Sequence, residues 1–291
     1  MIDYHLHLWP HGTKDRTPTV EELADYCKKA QEHGVSQIAI TEHLFRFRQT
    51  EKVLGRYFRR FPDSPMRTLM EEYWLDHARA DLDKYVSVVL EAKSAGLPVI
   101  LGLEVDYYED SMHLVDALVR QYPFDVILGS IHWVVEWPFD HVNDPEIMRY
   151  WEKVGIEPAW EGYTRALEEL SASNVVDVLA HPDLIKVAGL FPSVPEEYYA
   201  RMAEAAASAQ IAAEVSSAGW RKPVKEPYPG PELLKYFFER GVPITTASDS
   251  HGILDVAYRS EDLRQLISYA GYNSLLSFSG RKPVPTPIQL S

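Results

Sequence analysis

Seven short apolar runs, rich in β-branched residues and separated by longer stretches with helical spacing, restrict this chain to a narrow set of architectures. The runs read MIDYHLH, VSQIAITEH, PVILGLEVDYY, FDVILGSIHW, VVDVLAHPD, IAAEVSSAG and VPITTASDSH. Strands that are apolar nearly throughout are buried on both faces, as in a parallel sheet covered by helices. Between them, residues 19–33, 69–95, 112–121, 147–171, 195–208, 231–240 and 258–270 have helical periodicity, and Gly34, Gly96 and Gly241 stand just past three of these segments. The alternation predicts a parallel α/β fold. No low-complexity linker, charge block or further repeat interrupts it, and 291 residues suit one large core, so a single domain over 1–291 is expected.

Composition narrows the function classes. Acidic residues outnumber basic ones by 43 to 29, a formal charge of −14 that repels a nucleic-acid backbone. No apolar run approaches the roughly 18 residues of a membrane helix, and the first residues show no basic region followed by an apolar stretch. These features predict a cytoplasmic protein with neither a membrane nor a nucleic-acid partner. The single cysteine, Cys27, falls in a helical pattern and is expected to pack in the core.

The carboxyl ends of strands in barrels and open α/β sheets are where function is built. Here the first run ends at His5 and His7, the second at Glu42 and His43, the third at Glu104 and the fourth at His132; His181 closes the fifth, and Asp249 and His251 the seventh. His-x-His alone is a weak signal, since any solvated strand can hold one. Yet six of the eleven histidines lie at such ends. Residues two apart on a strand point the same way, so His5 and His7 share a face, as do Asp249 and His251. Six imidazoles with two carboxylates exceed one tetrahedral ion, which implies two or three. His11, in the loop after the first run, could reach back as a further ligand.

Together the motifs DYHLH, TEH, GLEVDY, GSIHW, AHPD and SDSH resemble those of the PHP family, the polymerase and histidinol phosphatase superfamily, in the family's order and over nearly the whole chain. The resemblance implies a distorted (β/α)7 TIM-like barrel with two to three divalent ions, zinc, manganese or iron, at its carboxyl edge. It implies as ligands His5, His7, His11, His43, Glu104, His132, His181, Asp249 and His251. Within the family, YPFDVILGSIHWV, EWPFDH and SSAGWRKPVKEPYPGPELL are most similar to the stand-alone histidinol-phosphate phosphatases. That likeness implies a small phosphorylated substrate, L-histidinol phosphate, hydrolysed to L-histidinol and phosphate in histidine biosynthesis.

The expected mechanism is attack of a metal-bridging hydroxide on phosphorus, with Glu104 as bridging carboxylate and Asp249 or His251 passing a proton to the leaving alcohol. No covalent intermediate is expected, because Cys27 lies on a helix and no serine sits beside an unassigned base. Arg221 is the candidate for the phosphate oxygens, with Lys222 and Lys225 beside it and Arg46 and Arg48 as a second basic option. His141, with Asp140, could close over the substrate, and Trp133, Trp137 and Trp220 could wall an imidazole. The competing readings are an amidohydrolase-type barrel hydrolase, a PHP phosphoesterase for another ester, and a non-enzymatic metal protein, whose ligand sets would be closed. Oligomeric state is not legible in these residues.

Overall fold

The computed structural model describes residues 1–10, 16–134 and 137–288. Seven parallel strands stand side by side in sequence order: β1 (Ile2–Leu6), β2 (Gln37–Ile40), β3 (Val99–Asp106), β4 (Val126–Ser130), β5 (Val178–Leu179), β6 (Ala212–Ser216) and β7 (Ile244–Ala247). Nearly every strand residue is buried, as expected of strands with a packed barrel interior on one side and helices on the other. Sequential order with a helix between neighbours is the (β/α) barrel arrangement.

The seam between β7 and β1 is closed differently from the rest. Among the described residues it holds one isolated bridge, Leu6 with Ser250, where His7 N–H donates to the Ser250 carbonyl at 2.8 Å. Side chains complete it: Thr246 Oγ1 donates to the Ile2 carbonyl at 2.6 Å, and the Asp3 carboxylate accepts from the N–H groups of Ser248 at 2.7 Å and Ala257 at 2.9 Å. Burial pushes the Asp3 carboxyl up to about 6 despite these bonds. This irregular closure is what makes the barrel distorted, and it brings both ends of the chain's strand order to one site.

Two expected helices are each two. The 69–95 segment divides into Pro65–His77 and Leu82–Ser94. Ala80 leaves the helix because its backbone pairs with the segment after β2, donating to the Arg46 carbonyl and accepting from Arg48 N–H, each at 3.0 Å. Asp81 then caps the next helix by accepting from Asp83 N–H at 3.1 Å. The 147–171 segment divides into Pro145–Val154 and Ile156–Ala172 at Gly155, whose φ of 84° ends the first helix.

A hairpin absent from the sequence reading, β8 (Ser274–Ser279) with β9 (Lys282–Pro287), lies outside the barrel sheet. It caps the amino-terminal end, where Phe278 N–H donates to Tyr4 Oη at 3.1 Å and Gly280 N–H to Asp125 Oδ1 at 3.1 Å. The carboxyl end is left for chemistry. Cys27 is buried in the helix Val20–Glu32 and packs in the core.

Candidate metal centre

Glu104 is the centre of the cluster. It lies on β3, fully buried, where Gly102 two residues earlier lets β2 approach closely: a Cβ there would stand 2.6 Å from Thr41 Cγ2. Glu104 Oε2 lies 2.6 Å from His43 Nδ1, 3.3 Å from His5 Nε2 and 3.5 Å from His7 Nε2. Its Oε1 lies 3.2 Å from His181 Nε2 and 3.6 Å from His132 Nε2. On the β7 side, Asp249 Oδ1 stands 3.5 Å from His7 Nε2, 3.8 Å from His5 Nε2 and 3.6 Å from His251 Nδ1. The structure therefore brings together eight of the nine residues proposed from sequence as ligands; His11 lies outside the described residues.

Their donor atoms fall into four groups of three, each with all atoms within 4.8 Å of one another: His7, His43 and His251; His5, Glu104 and His181; His5, His7 and Asp249; His43, Glu104 and His132. The test of fit is polar satisfaction. His5 Nε2, His7 Nε2, His43 Nδ1 and Glu104 Oε2 are buried and make no hydrogen bond among the described residues, although they face one another at short range. A buried polar atom without a partner costs roughly 1–3 kcal/mol. Four converging on one volume fit divalent cations, and an imidazole and carboxylate donor set without thiolate suits zinc, manganese or iron.

Two carboxylates, Glu214 and Asp106, hydrogen-bond the outer ring nitrogens of His5 and His132, and a third, Glu42, stands behind His7. Glu214, on β6, places Oε2 2.8 Å from His5 Nδ1 and accepts from His181 N–H through Oε1 at 3.2 Å. Asp106 places Oδ1 2.7 Å from His132 Nδ1. Glu42 Oε1 accepts from the N–H groups of Leu8 at 2.6 Å and Trp9 at 3.2 Å, while its Oε2, 3.6 Å from His7 Nδ1, makes no hydrogen bond to that ring. A carboxylate on one ring nitrogen fixes the tautomer and aims the other nitrogen's lone pair at the centre. Sequence reasoning missed Glu214 and Asp106 in these roles, although signals existed. Asp106 follows Glu104 by two and shares its face, and Glu214 is a charged residue inside an otherwise apolar strand run.

Charge in the cluster is strongly coupled. Burial disfavours the Glu104 carboxylate, but His43, His5 and His132 outweigh it and hold the group well below the usual range. Asp249 is likewise held well below its ordinary value, with burial overcome by His5, His7 and His251. Burial works against a His5 cation, yet Glu214, Glu104 and Asp249 raise that ring well above its ordinary value. His132 rises to about 10, because Asp106 and Glu104 more than offset burial. His43 is driven well below, with burial dominant. His181 and Asp249 also hold left-handed backbone, φ 29° and 49°; such residues cost on the order of 1–3 kcal/mol and gather at functional sites.

Above the cluster opens a cavity of about 980 Å³. His43, His132, His181, Asp249 and His251 line its floor, with Phe45, Tyr73, Trp133 and Tyr228 as aromatic walls. Arg221, Lys222, Lys225, Asp140 and His141 line it as well. Arg221 is positioned by its Nη2, which donates to the carbonyls of Ser248 and Asp249 at 2.8 Å each, and by the Tyr258 ring 5.0 Å below. Its Nη1 is buried without a hydrogen-bond partner among the described residues. His141 stands edge-on to Tyr73, ring centres 5.5 Å apart.

Other expectations are corrected. Arg46 is buried beneath Trp9, with Nη1 3.4 Å from the Trp9 carbonyl and 4.0 Å from Glu42 Oε2, so it serves the packing behind the centre. Arg48 pairs with Asp81 on the outer surface. Trp137 packs against Trp151 with ring centres 4.7 Å apart, and Trp220 lies under the Arg259 guanidinium at 4.0 Å, which leaves Trp133 as the tryptophan on the cavity.

Comparison with known proteins agrees with this architecture. A Deinococcus radiodurans protein named a probable histidinol-phosphatase is 29% identical over 289 residues, 98% of this chain and 99% of the relative. The histidinol-phosphatase of Lactococcus lactis subsp. lactis is 23% identical over 294 residues, covering 97% and 95%. The solved histidinol phosphate phosphatase of that organism, complexed with zinc, L-histidinol and phosphate, matches with a TM-score of 0.61 and 20% identity, covering 97% of this chain and 98% of that one. A crystal structure from Listeria monocytogenes matches with a TM-score of 0.71 and 19% identity, covering 90% and 99%. The PHP domain family model matches residues 3–218, a span containing six of the eight clustered residues together with Glu42, Asp106 and Glu214. On that match, over most of its length, the chain belongs to the PHP domain family.

Proposed function

We propose that this chain is a metal-dependent phosphoric monoester hydrolase whose substrate is L-histidinol phosphate. The observation behind this reading is Glu104, whose two oxygens each face a different set of imidazoles beneath a cavity with a buried, unpartnered Arg221 Nη1. His5, His7, His43, Glu104, His132, His181, Asp249 and His251 would hold two to three divalent cations, zinc, manganese or iron, with His11 as a further ligand. The substrate assignment rests on the relatives named histidinol-phosphatase, among them the protein solved with zinc, L-histidinol and phosphate.

Divalent cations bound there lower the pKa of water toward neutrality and neutralise phosphoryl oxygens. The chain's own residues do the rest. Arg221, with Nη2 occupied by two backbone carbonyls, presents Nη1 to a phosphoryl oxygen in a fixed direction, as a charge-assisted donor. Glu104 keeps the two sides of the cluster in one geometry through its two oxygens. Asp249 and His251, 3.6 Å apart on the cavity wall, are the groups positioned to hold the proton that passes to the leaving alkoxide. Tyr73, Trp133 and His141 offer faces and edges against which an imidazole packs.

The test is metal content together with a panel of phosphate monoesters. Two to three equivalents of metal are expected, with kcat/KM for L-histidinol phosphate well above that for sugar phosphates. Metal without turnover of any phosphate ester refutes the reaction class, and no preference over sugar phosphates refutes the substrate.

A further inference from the structure

The cavity above the histidine cluster holds charges of both signs. Arg221, Lys222 and Lys225 follow β6, whereas Asp140 follows β4 in the stretch PFDH and lines the same cavity. Asp140 Oδ1 is buried and accepts no hydrogen bond among the described residues. Its backbone is held: its carbonyl accepts from Val142 N–H at 2.8 Å, and the preceding Phe139 carbonyl accepts from Trp151 Nε1 at 3.0 Å. Phe139 itself is fully buried, edge-on to Tyr163. The carboxylate therefore sits on a packed support, and its charge bears on His132, Tyr73 and Tyr228 around the cavity.

A desolvated carboxylate oxygen with no donor is costly to keep and is best compensated by a charged donor. The phosphate end of an ester is drawn to the cations and Arg221, so the group meeting Asp140 belongs to the alcohol portion. We propose that Asp140 recognises a primary ammonium group on that portion, making the enzyme selective for amino-alcohol phosphates. This inference rests on the phosphatase reading above and names the determinant of its specificity.

The experiment compares metal-loaded wild type with Asp140→Asn and Asp140→Ser on two esters, L-histidinol phosphate and 3-(imidazol-4-yl)propyl phosphate, which keeps the imidazole and lacks the amine. In wild type the amine-bearing ester should have the higher kcat/KM. Both variants should reduce the ratio of the two values by about 10- to 100-fold, the range of a hydrogen bond to a charged group, mainly through KM for the amine-bearing ester. Calorimetry with L-histidinol should show the same weakening without turnover. A ratio equal to wild type in both variants, or no amine preference in wild type, overturns the proposal; equal losses on both esters mean that Asp140 reads the imidazole or supports the fold, and also overturn it. The substrate assignment fails separately, through a wild-type kcat/KM for L-histidinol phosphate no better than for sugar phosphates. Asp140 is then judged by the amine ratio alone.

Discussion

Glu214→Gln isolates the part of the centre that does not touch metal. Glu214 is fully buried and uses its two oxygens on two donors, His5 Nδ1–H at 2.8 Å and His181 N–H at 3.2 Å. Glutamine has one acceptor oxygen, so one donor must face an amide NH2. Leaving one buried N–H unpaired costs roughly 1–3 kcal/mol, which should appear as a lower urea midpoint of the metal-free chain. Losing the carboxylate also makes the His5 ring a weaker ligand, and outer partners of metal-binding histidines are typically worth about 10- to 100-fold in metal affinity.

The sign of the pH effect follows from His5. In the metal-free chain burial opposes its cation, but Glu214, Glu104 and Asp249 hold the proton on, and a metal must displace it. Glu214→Gln removes the first of those supports, so proton competition weakens as well. The affinity deficit should be larger at pH 8 than at pH 6, measured by competition with a chromophoric zinc chelator. A variant with the wild-type urea midpoint and wild-type zinc affinity at both pH values would refute the orienting role.

Other outcomes follow from the same geometry. His132→Ala and Asp249→Ala should lose metal and nearly all turnover while circular dichroism stays native, since each removes a donor from a group of three; retained metal stoichiometry would contradict this. Arg221→Ala should raise KM with metals retained, by about 10- to 100-fold for a lost charged hydrogen bond, and Arg221→Lys should recover little because both carbonyl contacts occupy Nη2 and the phosphate needs the second nitrogen, Nη1, of a rigid guanidinium. Metal affinity should fall as pH falls: His132, raised to about 10, stays protonated in the metal-free chain below that value, and binding must release its proton. Calorimetry in buffers of different ionisation enthalpy counts those protons, and zero release would overturn the charge assignment.

Much of this molecule could be read locally. The seven apolar runs are the seven barrel strands, and the residues at their carboxyl ends meet at one centre. That reading failed where a distant contact decided the backbone or a local sign was overridden. Ala80 breaks a helix because distant backbone at Arg46 and Arg48 pairs with it, which no window around residue 80 reveals. The division at Gly155 did have a local sign, a glycine followed by Pro158, overridden by periodicity on either side. The hairpin of β8 and β9 uses prolines in β9, which disguise a strand whose N–H groups need not all pair.

By itself the sequence determined strand identity and the facing of His5 with His7, because burial and period-two alternation act between near neighbours. It could not divide the acids into those that face the cations and those that aim the rings. Glu104 and Asp106 share a strand face, yet one lies between two sets of imidazoles and the other behind His132. Glu214 reaches His5 across 209 residues, and Arg221 rather than Arg46 turns to the cavity. Those outcomes belong to tertiary structure, because they depend on how the barrel closes and on which side of each loop its curvature leaves open.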